Sequence, residues 1–180
     1  SQGRAGESGA ITRWNGLDAT DTILAKNDSS YEVFEHIRSI RSSDPVPSDG
    51  GSDWYLPAMD ELEIIYRNLK PGSRDNFVGS QSDVFPGSQD SGFNPSSDPS
   101  GAAYTANDPS QTILTDFQLG GAEAVDFARY WCSTDTNSSA RRVWRQNFFV
   151  DVAGFDGIQD NEDSKTVTDN AVRPVRRIPL

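Results

Sequence analysis

The sequence predicts an α+β fold, because helical patterns lie in the first third of the chain and short β-like segments lie in the last third. Four apolar residues between positions 33 and 40 recur at helical spacing and predict a helix over about residues 31–40. From Ile113 onward, β-branched and aromatic residues form short runs that are separated by polar turns. The two patterns occupy different parts of the chain, which is typical of α+β rather than α/β architecture.

The remaining elements follow in chain order. Residues 10–14 predict a first strand that is closed by a turn at Asn15-Gly16. A second helix is predicted over about residues 58–69, with Pro57 fitting its first turn. Later strands are predicted at residues 130–134, 143–150, 167–168 and 171–178.

Length and charge limit the domain count and the partners. The 180 residues suffice for one domain, predicted over residues 10–180 after a polar lead-in at residues 1–9. The chain has 16 Lys and Arg against 27 Asp and Glu, which gives a net charge of −11. This charge disfavours binding to nucleic acid or to anionic lipid. No apolar run is long enough to predict membrane insertion.

Residues 73–112 form an unusual segment. They contain four Pro and four Gly but no Leu, Ile or Met, so they show neither helical nor strand periodicity. Long segments of this kind inside a domain are usually functional or disordered. We predict an ordered, irregular insertion that four aromatic residues anchor, namely Phe77, Phe85, Phe93 and Tyr104.

Catalytic groupings are weak, and the sequence predicts no enzyme. Asp60, Glu61 and Glu63 lie in the first turns of the second helix, where we expect them to face solvent and to favour the helix dipole. His36, the only histidine, falls outside the apolar stripe of its helix. Cys132 is the only cysteine, so neither a disulfide nor a paired-cysteine active site can form within the chain.

No cofactor is predicted, although calcium remains a weak alternative. Oxygen-bearing side chains are densest in the run that includes Asp156, Asp160, Glu162 and Asp163. Calcium needs six to eight oxygen ligands, and this spacing does not match an EF-hand loop. A solvated acidic loop is the preferred interpretation.

Several separated motifs resemble one family. They are Trp54-Tyr55-Leu56-Pro57 followed by Asp60-Glu61-Leu62, Tyr130-Trp131-Cys132-Ser133-Thr134, the strand that begins Val143-Trp144-Arg145, and the final Val172-Arg173-Pro174. In this order they resemble the Lcl C-terminal-like domains, which have a C-type lectin fold. Within that family the chain is most similar to the receptor-binding tips of phage tail fibres and to variable proteins diversified by retroelements.

The resemblance implies a function and a location. It implies a non-enzymatic domain at the tip of a phage tail fibre in the virion, which binds a glycan or protein receptor on the bacterial surface. Fibre proteins of this kind are commonly homotrimers. Three alternatives remain: a structural or trimerising tip without a ligand, a bacterial surface or secreted adhesin, and a variable ligand-binding protein. Enzymes that share the fold need a cysteine pair, which this chain lacks.

The resemblance also places the binding surface between the strand at 130–134 and the last strand. Strand alternation puts Arg145, Asn147 and Phe149 on one face and Trp144, Gln146 and Phe148 on the other, which the resemblance assigns to the core. Polar residues, guanidinium groups and aromatics suit adaptable recognition. An anionic group on the receptor is one candidate ligand; a salt-bridged strand edge is the alternative for the arginines. The predicted site comprises Asp135, Thr136, Asn137, Arg141, Arg142, Arg145, Asn147, Phe149, Asp151, Phe155 and Asp156.

Three further structural predictions complete this set. We expect the apolar stripes of both helices to form one core with Trp14, Trp54 and Trp131. We expect the first strand to lie beside the last strand. The arginines at positions 173, 176 and 177 are expected to pair with acidic residues and to serve the structure.

Overall fold

The fold is α+β, with three helices and a small antiparallel sheet. The computed structural model describes residues 10, 12–27, 31–46, 51–78, 102–125, 128–135, 143–148, 156–160 and 170–178. The helices are α1 (Gly16–Leu24), α2 (Glu32–Ser43) and α3 (Met59–Leu69), with a short 3-10 turn at Thr115–Phe117. The strands are β1 (Arg129–Asp135), β2 (Val143–Asn147) and β3 (Gln159–Asp160).

Helix α1 was missed by the sequence analysis, which placed a turn at Asn15-Gly16. Asn15 is instead the N-cap of α1, and its side-chain oxygen accepts a hydrogen bond from the Asp18 amide at 3.3 Å. Asparagine is favoured both in turns and at helix N-caps, so the local sequence fits either structure. Burial of Ala19 and Ile23 against the core decides in favour of the helix.

The two predicted helices are confirmed with small shifts of their ends. Helix α2 continues to Ser43, and its buried face carries Phe34 and Ile37. Helix α3 begins at Met59 and buries Leu62 and Tyr66.

Strand β1 is buried on both faces. Trp131 packs with α1, α2 and Leu56, whereas Tyr130 and Cys132 pack with α3 and Phe148. The alternation of side chains along β1 therefore divides the apolar interior into two clusters, where one shared core was predicted. Trp131 is a core residue as predicted, Trp54 is half-buried, and Trp14 is 60% exposed, so its assignment to the core is wrong.

The C-terminal segment, residues 170–178, lies beside residues other than those predicted. Val175 forms paired backbone hydrogen bonds with Tyr55 at 2.8 and 2.9 Å, and Ala171 bridges β1 at Tyr130. The segment at residue 10 instead contacts the end of β1, where the Asp135 amide donates to the Ala10 carbonyl at 2.7 Å. The predicted pairing of the first and last strands is thus corrected, because β1 and the 52–55 segment occupy those edges.

The predicted insertion is held at both of its described ends. Tyr104 is buried against Tyr66, with ring centroids 5.7 Å apart. Asn76 is buried as well, and its amide donates to the Ala106 carbonyl at 2.8 Å. Of the four predicted anchors, Tyr104 is buried and Phe77 is partly buried, while Phe85 and Phe93 lie outside the described residues.

Candidate functional site

Four of the predicted binding residues are buried. Asp135, Arg145 and Asn147 are each 3–4% exposed, and Asp156 is 0% exposed. They therefore offer no exposed surface to a large receptor, and the prediction that they form a solvent-facing binding surface is corrected. The other predicted binding residues lie outside the described part of the chain: Thr136, Asn137, Arg141, Arg142, Phe149, Asp151 and Phe155.

Arg145 and Asn147 belong to the central strand of the sheet, and both are buried. Strand β2 pairs with β1 on one side and with β3 on the other. The amide of Asn147 donates to the Ile158 carbonyl at 2.8 Å, and the Gly157 amide donates back to the Asn147 carbonyl at 2.8 Å. The predicted alternation is right for Phe148, which is fully buried, but its opposite face is covered too.

Gly157 permits this close packing. Its φ of +87° is a conformation that favours glycine, and a Cβ atom here would lie 2.8 Å from the Tyr104 ring. Side chains form hydrogen bonds in the polar interior between β2 and β3, where Gln159 donates to the Gln146 side chain at 2.8 Å and to the Met59 carbonyl at 2.9 Å.

The strands bring two connections to one end of the sheet. Asp135 at the end of β1 pairs with Val143 at the start of β2, and Asp160 at the end of β3 pairs with Arg145. The connection 136–142 and the segment that follows Asp160 therefore both begin at the same end of the sheet. The connection after Asn147 begins at the opposite end of β2.

Asp156 is a structural residue. Its carbonyl accepts from the Phe77 amide at 2.8 Å, and its carboxylate lies 3.8 Å from Arg74 Nε. Of the weak calcium candidates, the side chain of Asp160 and the residues Glu162 and Asp163 lie outside the described set, so the calcium alternative stays a prediction. In the part of the chain that is described, no group of three or more His, Cys, Asp or Glu could hold a metal ion.

The carboxylates of α3 serve the structure in different ways. Asp60 and Glu63 are buried rather than solvent-facing, which corrects the prediction for both. Asp60 pairs with Arg13 at 3.3 Å, and Glu63 accepts from the Tyr104 hydroxyl at 3.0 Å and pairs with Arg67. Glu61 caps the helix, since it accepts from the Ala58 amide at 2.9 Å.

Cys132 is a buried, protonated thiol. Burial raises its pKa to about 12, and the thiol donates to the Trp144 carbonyl at 3.0 Å. A nucleophilic cysteine needs the thiolate form, which this environment opposes. His36 is exposed on α2, as predicted.

Buried acidic groups predict a loss of stability at alkaline pH. Burial raises the pKa of Cys132 from 9.0 to about 12, and burial raises the pKa of both Tyr66 and Tyr104 above 10.0. At a pH above 9.0 for the thiol and 10.0 for the tyrosines, the unfolded chain loses protons that the folded chain keeps. The free energy of unfolding therefore falls by about 1.4 kcal/mol for each such group and each pH unit. Buried Lys70 has a lowered pKa and opposes this trend, because its unfolded form keeps the proton up to 10.5.

Urea denaturation between pH 8 and 10 can separate the contribution of Cys132 to this pH dependence from that of the two tyrosines. Of these three acids, the thiol has the lowest pKa in the unfolded state. In the wild type, the free energy of unfolding should therefore fall between about pH 9 and 10 partly because of Cys132, and in Cys132→Ala this fall should be smaller by roughly 1 kcal/mol. Equal declines in the wild type and in the variant would contradict the assigned burial effect.

An amphipathic groove lies between α2, α3 and the C-terminal segment. Its volume is about 610 Å³. Trp54 and Ile178 line it together with Arg173 and Arg176, and its other lining residues are Ile40, Ile65, Leu69, Phe117, Glu123, Val125, Pro174 and Val175. The lining residues come from five separate segments of the chain, so no local sequence pattern predicts this groove.

The C-terminal arginines pair with acidic residues, as predicted. Arg173 lies 3.3 Å from Glu123, Arg176 lies 3.9 Å from Asp44, and Arg177 lies 3.0 Å from Glu61. The guanidinium of Arg176 also lies 5.1 Å from the centre of the Trp54 ring. Arg177 belongs to the structural network of Glu61, whereas Arg173 and Arg176 line the groove.

Comparisons with known proteins give no family assignment. No family model, curated protein or solved structure matches the chain. Among the helices that the structure describes, none is long and apolar enough to cross a membrane.

Proposed function

We propose that the chain is a non-enzymatic receptor-binding domain with a C-type lectin fold, of the kind found at the tips of phage tail fibres. Its ligand is a glycan or protein on the bacterial surface. The observation that supports this proposal best is the shared end of the sheet, where the connection 136–142 and the segment after Asp160 both begin. Binding residues are commonly carried by loops that a rigid scaffold positions.

The motifs that carry the family resemblance support the scaffold role. Trp131 is buried in the core, and the Thr134 hydroxyl accepts from the Met59 amide and donates to the Thr12 carbonyl, both at 2.9 Å. Glu61 joins α1, α3 and the C-terminal segment. With the motif residues committed to the scaffold, recognition is left to the polar connections between the strands.

The proposed contact residues are fewer than the sequence predicted. Thr136, Asn137, Arg141 and Arg142 remain, because they belong to the connection at the shared end. Phe149, Asp151 and Phe155 belong to the connection that begins at the opposite end of β2, and we assign them to a secondary contact. The four buried residues of the predicted site are not included among the proposed contact residues.

The test uses the full chain, fluorescently labelled, on a panel of bacterial strains and a bacterial glycan array. We expect binding to particular strains, without dependence on calcium, and loss of at least ten-fold in affinity in the double variant Arg141→Ala/Arg142→Ala. Two guanidinium groups that contact an anionic receptor account for a loss of this size. The control Arg38→Ala removes an arginine of α2 that contacts Glu35 and the Leu24 carbonyl, and it should bind as the wild type does.

The outcomes separate the proposal from its alternatives. Full binding by a double variant whose melting temperature is unchanged would place the contact elsewhere. A tip domain with only a structural role would bind no strain and no glycan. The proposed trimer and its position in the virion are tested by sedimentation of the chain and by antibody labelling of phage particles.

A further inference from the structure

We propose that the groove between α2, α3 and the C-terminal segment binds a free single-chain amphiphile with a carboxylate head group. The apolar chain would lie on the floor of the groove, and the carboxylate would bind Arg173 and Arg176. This site is independent of the proposed receptor surface, because none of its lining residues belongs to the strand connections at the sheet end.

The size and lining of the groove fit this ligand. A volume of about 610 Å³ lies within the range of small-molecule sites. Such sites are lined mainly by apolar and aromatic side chains with a few polar groups that orient the ligand. The floor has this composition, since it is formed by Ile40, Ile65, Leu69, Phe117, Val125 and Val175.

The two arginines make one part of the groove suitable for an anion. Their present partners are exposed carboxylates, Glu123 at 62% and Asp44 at 57% exposure, at distances of 3.3 and 3.9 Å. Exposed ion pairs of this kind contribute little to stability, so a ligand carboxylate can replace them at small cost. Arginine binds carboxylates through two parallel hydrogen bonds, which favours this exchange.

The charge of the lining selects the head group. The chain as a whole carries a net charge of −11, but the lining contains two arginines and one glutamate. At physiological salt, charges beyond about 8 Å are screened, and within that range Glu123 and Asp44 balance the two guanidinium groups, so a bound head group must take the place of these carboxylates. A carboxylate is therefore preferred over a neutral or cationic head on the same chain.

Isothermal titration calorimetry with decanoate tests the proposal. Decanoate should bind, whereas decanol and decyltrimethylammonium, which share its chain, should bind at least ten-fold more weakly. Equal affinity for decanol would overturn the role of the arginines, and no decanoate binding would overturn the site.

Two sets of variants locate the site. The double variant Arg173→Gln/Arg176→Gln should reduce decanoate affinity at least ten-fold while decanol affinity stays the same. Ile178→Asp places a negative charge at an exposed position of the groove, where Ile178 is 63% exposed, and should also weaken decanoate binding. The matched control is Ile113→Asp, because Ile113 is 91% exposed and lies outside the groove lining.

Thermal denaturation establishes that the arginine double variant, Ile178→Asp and the control are folded before their affinities are compared. Ile178→Asp alters an exposed side chain, so it keeps the test informative if the arginine variant fails to fold. Unchanged decanoate affinity in folded Ile178→Asp, or an equal loss in Ile113→Asp, would show that decanoate binds elsewhere and would overturn the assignment.

Discussion

Replacing Glu61 with alanine should lower the free energy of unfolding by about 4 kcal/mol, one of the two largest effects that we expect from a single substitution. One carboxylate oxygen accepts from the Gly16 amide at 3.0 Å and from the Ala58 amide at 2.9 Å. The other accepts from Arg177 at 3.0 Å and from the Tyr55 hydroxyl at 3.2 Å. The variant leaves all four donors without this acceptor.

The geometry around Gly16 adds to this cost. A Cβ atom at Gly16 would lie 2.5 Å from Glu61 Oε2 and from the Ala58 amide nitrogen. The start of α1 is thus packed directly onto the start of α3, and the glutamate is the group that joins them. Without it, two helix N-termini would lose an anionic acceptor at the position where the helix dipoles favour one.

Urea denaturation of two further variants makes this test specific. Glu61→Gln keeps one oxygen acceptor and should lose about half as much stability. Glu35→Ala removes an exposed carboxylate that pairs with Arg38 on α2, and it should cost less than about 0.5 kcal/mol. If Glu61→Ala proved no more destabilising than Glu35→Ala, the central role of this carboxylate would be refuted.

The sequence predicted elements correctly where a pattern of apolar residues continues through the whole element. Helices α2 and α3 bury their apolar stripes, and β1 lies within one residue of its predicted bounds at each end. Helix α1 was missed because its signals are short and because Asn15-Gly16 fits a turn as well as a helix N-terminus. Only the packing of Ala19 and Ile23 against β1 and α2 resolves that choice.

The candidate site was harder to predict for a different reason. Alternation along β2 assigns side chains to two faces, but it does not say whether a third segment covers one of them. Arg145 and Asn147 are buried on that face, and the segment 156–160 lies beside them, with the turn at Gly157 allowing its backbone to pair with Asn147. Buried polar residues such as Asp156 and Asp60 look like surface residues in a sequence, because their partners are distant in the chain.

The anchoring of the long irregular insertion leads to the second large expected effect. Asn76→Ala should lower the free energy of unfolding by about 3 kcal/mol. The Asn76 side chain is buried, donates to the carbonyls of Pro109 at 2.9 Å and Thr105 at 3.0 Å, and accepts from the Tyr66 hydroxyl at 2.8 Å. Alanine makes none of these bonds, and it leaves a buried hydroxyl and two carbonyls without this partner.

The matched control for this variant lies in the same loop. Asn107 is exposed, so Asn107→Ala should change the free energy of unfolding by less than about 0.5 kcal/mol. Limited proteolysis gives a second measurement, since loss of the Asn76 bonds frees the start of the insertion from residues 105–109. We therefore expect faster cleavage between residues 79 and 101 in Asn76→Ala than in Asn107→Ala. Equal stability and equal cleavage rates in the two variants would show that the insertion is held by other contacts, with Tyr104 and Lys70 as the next residues to test.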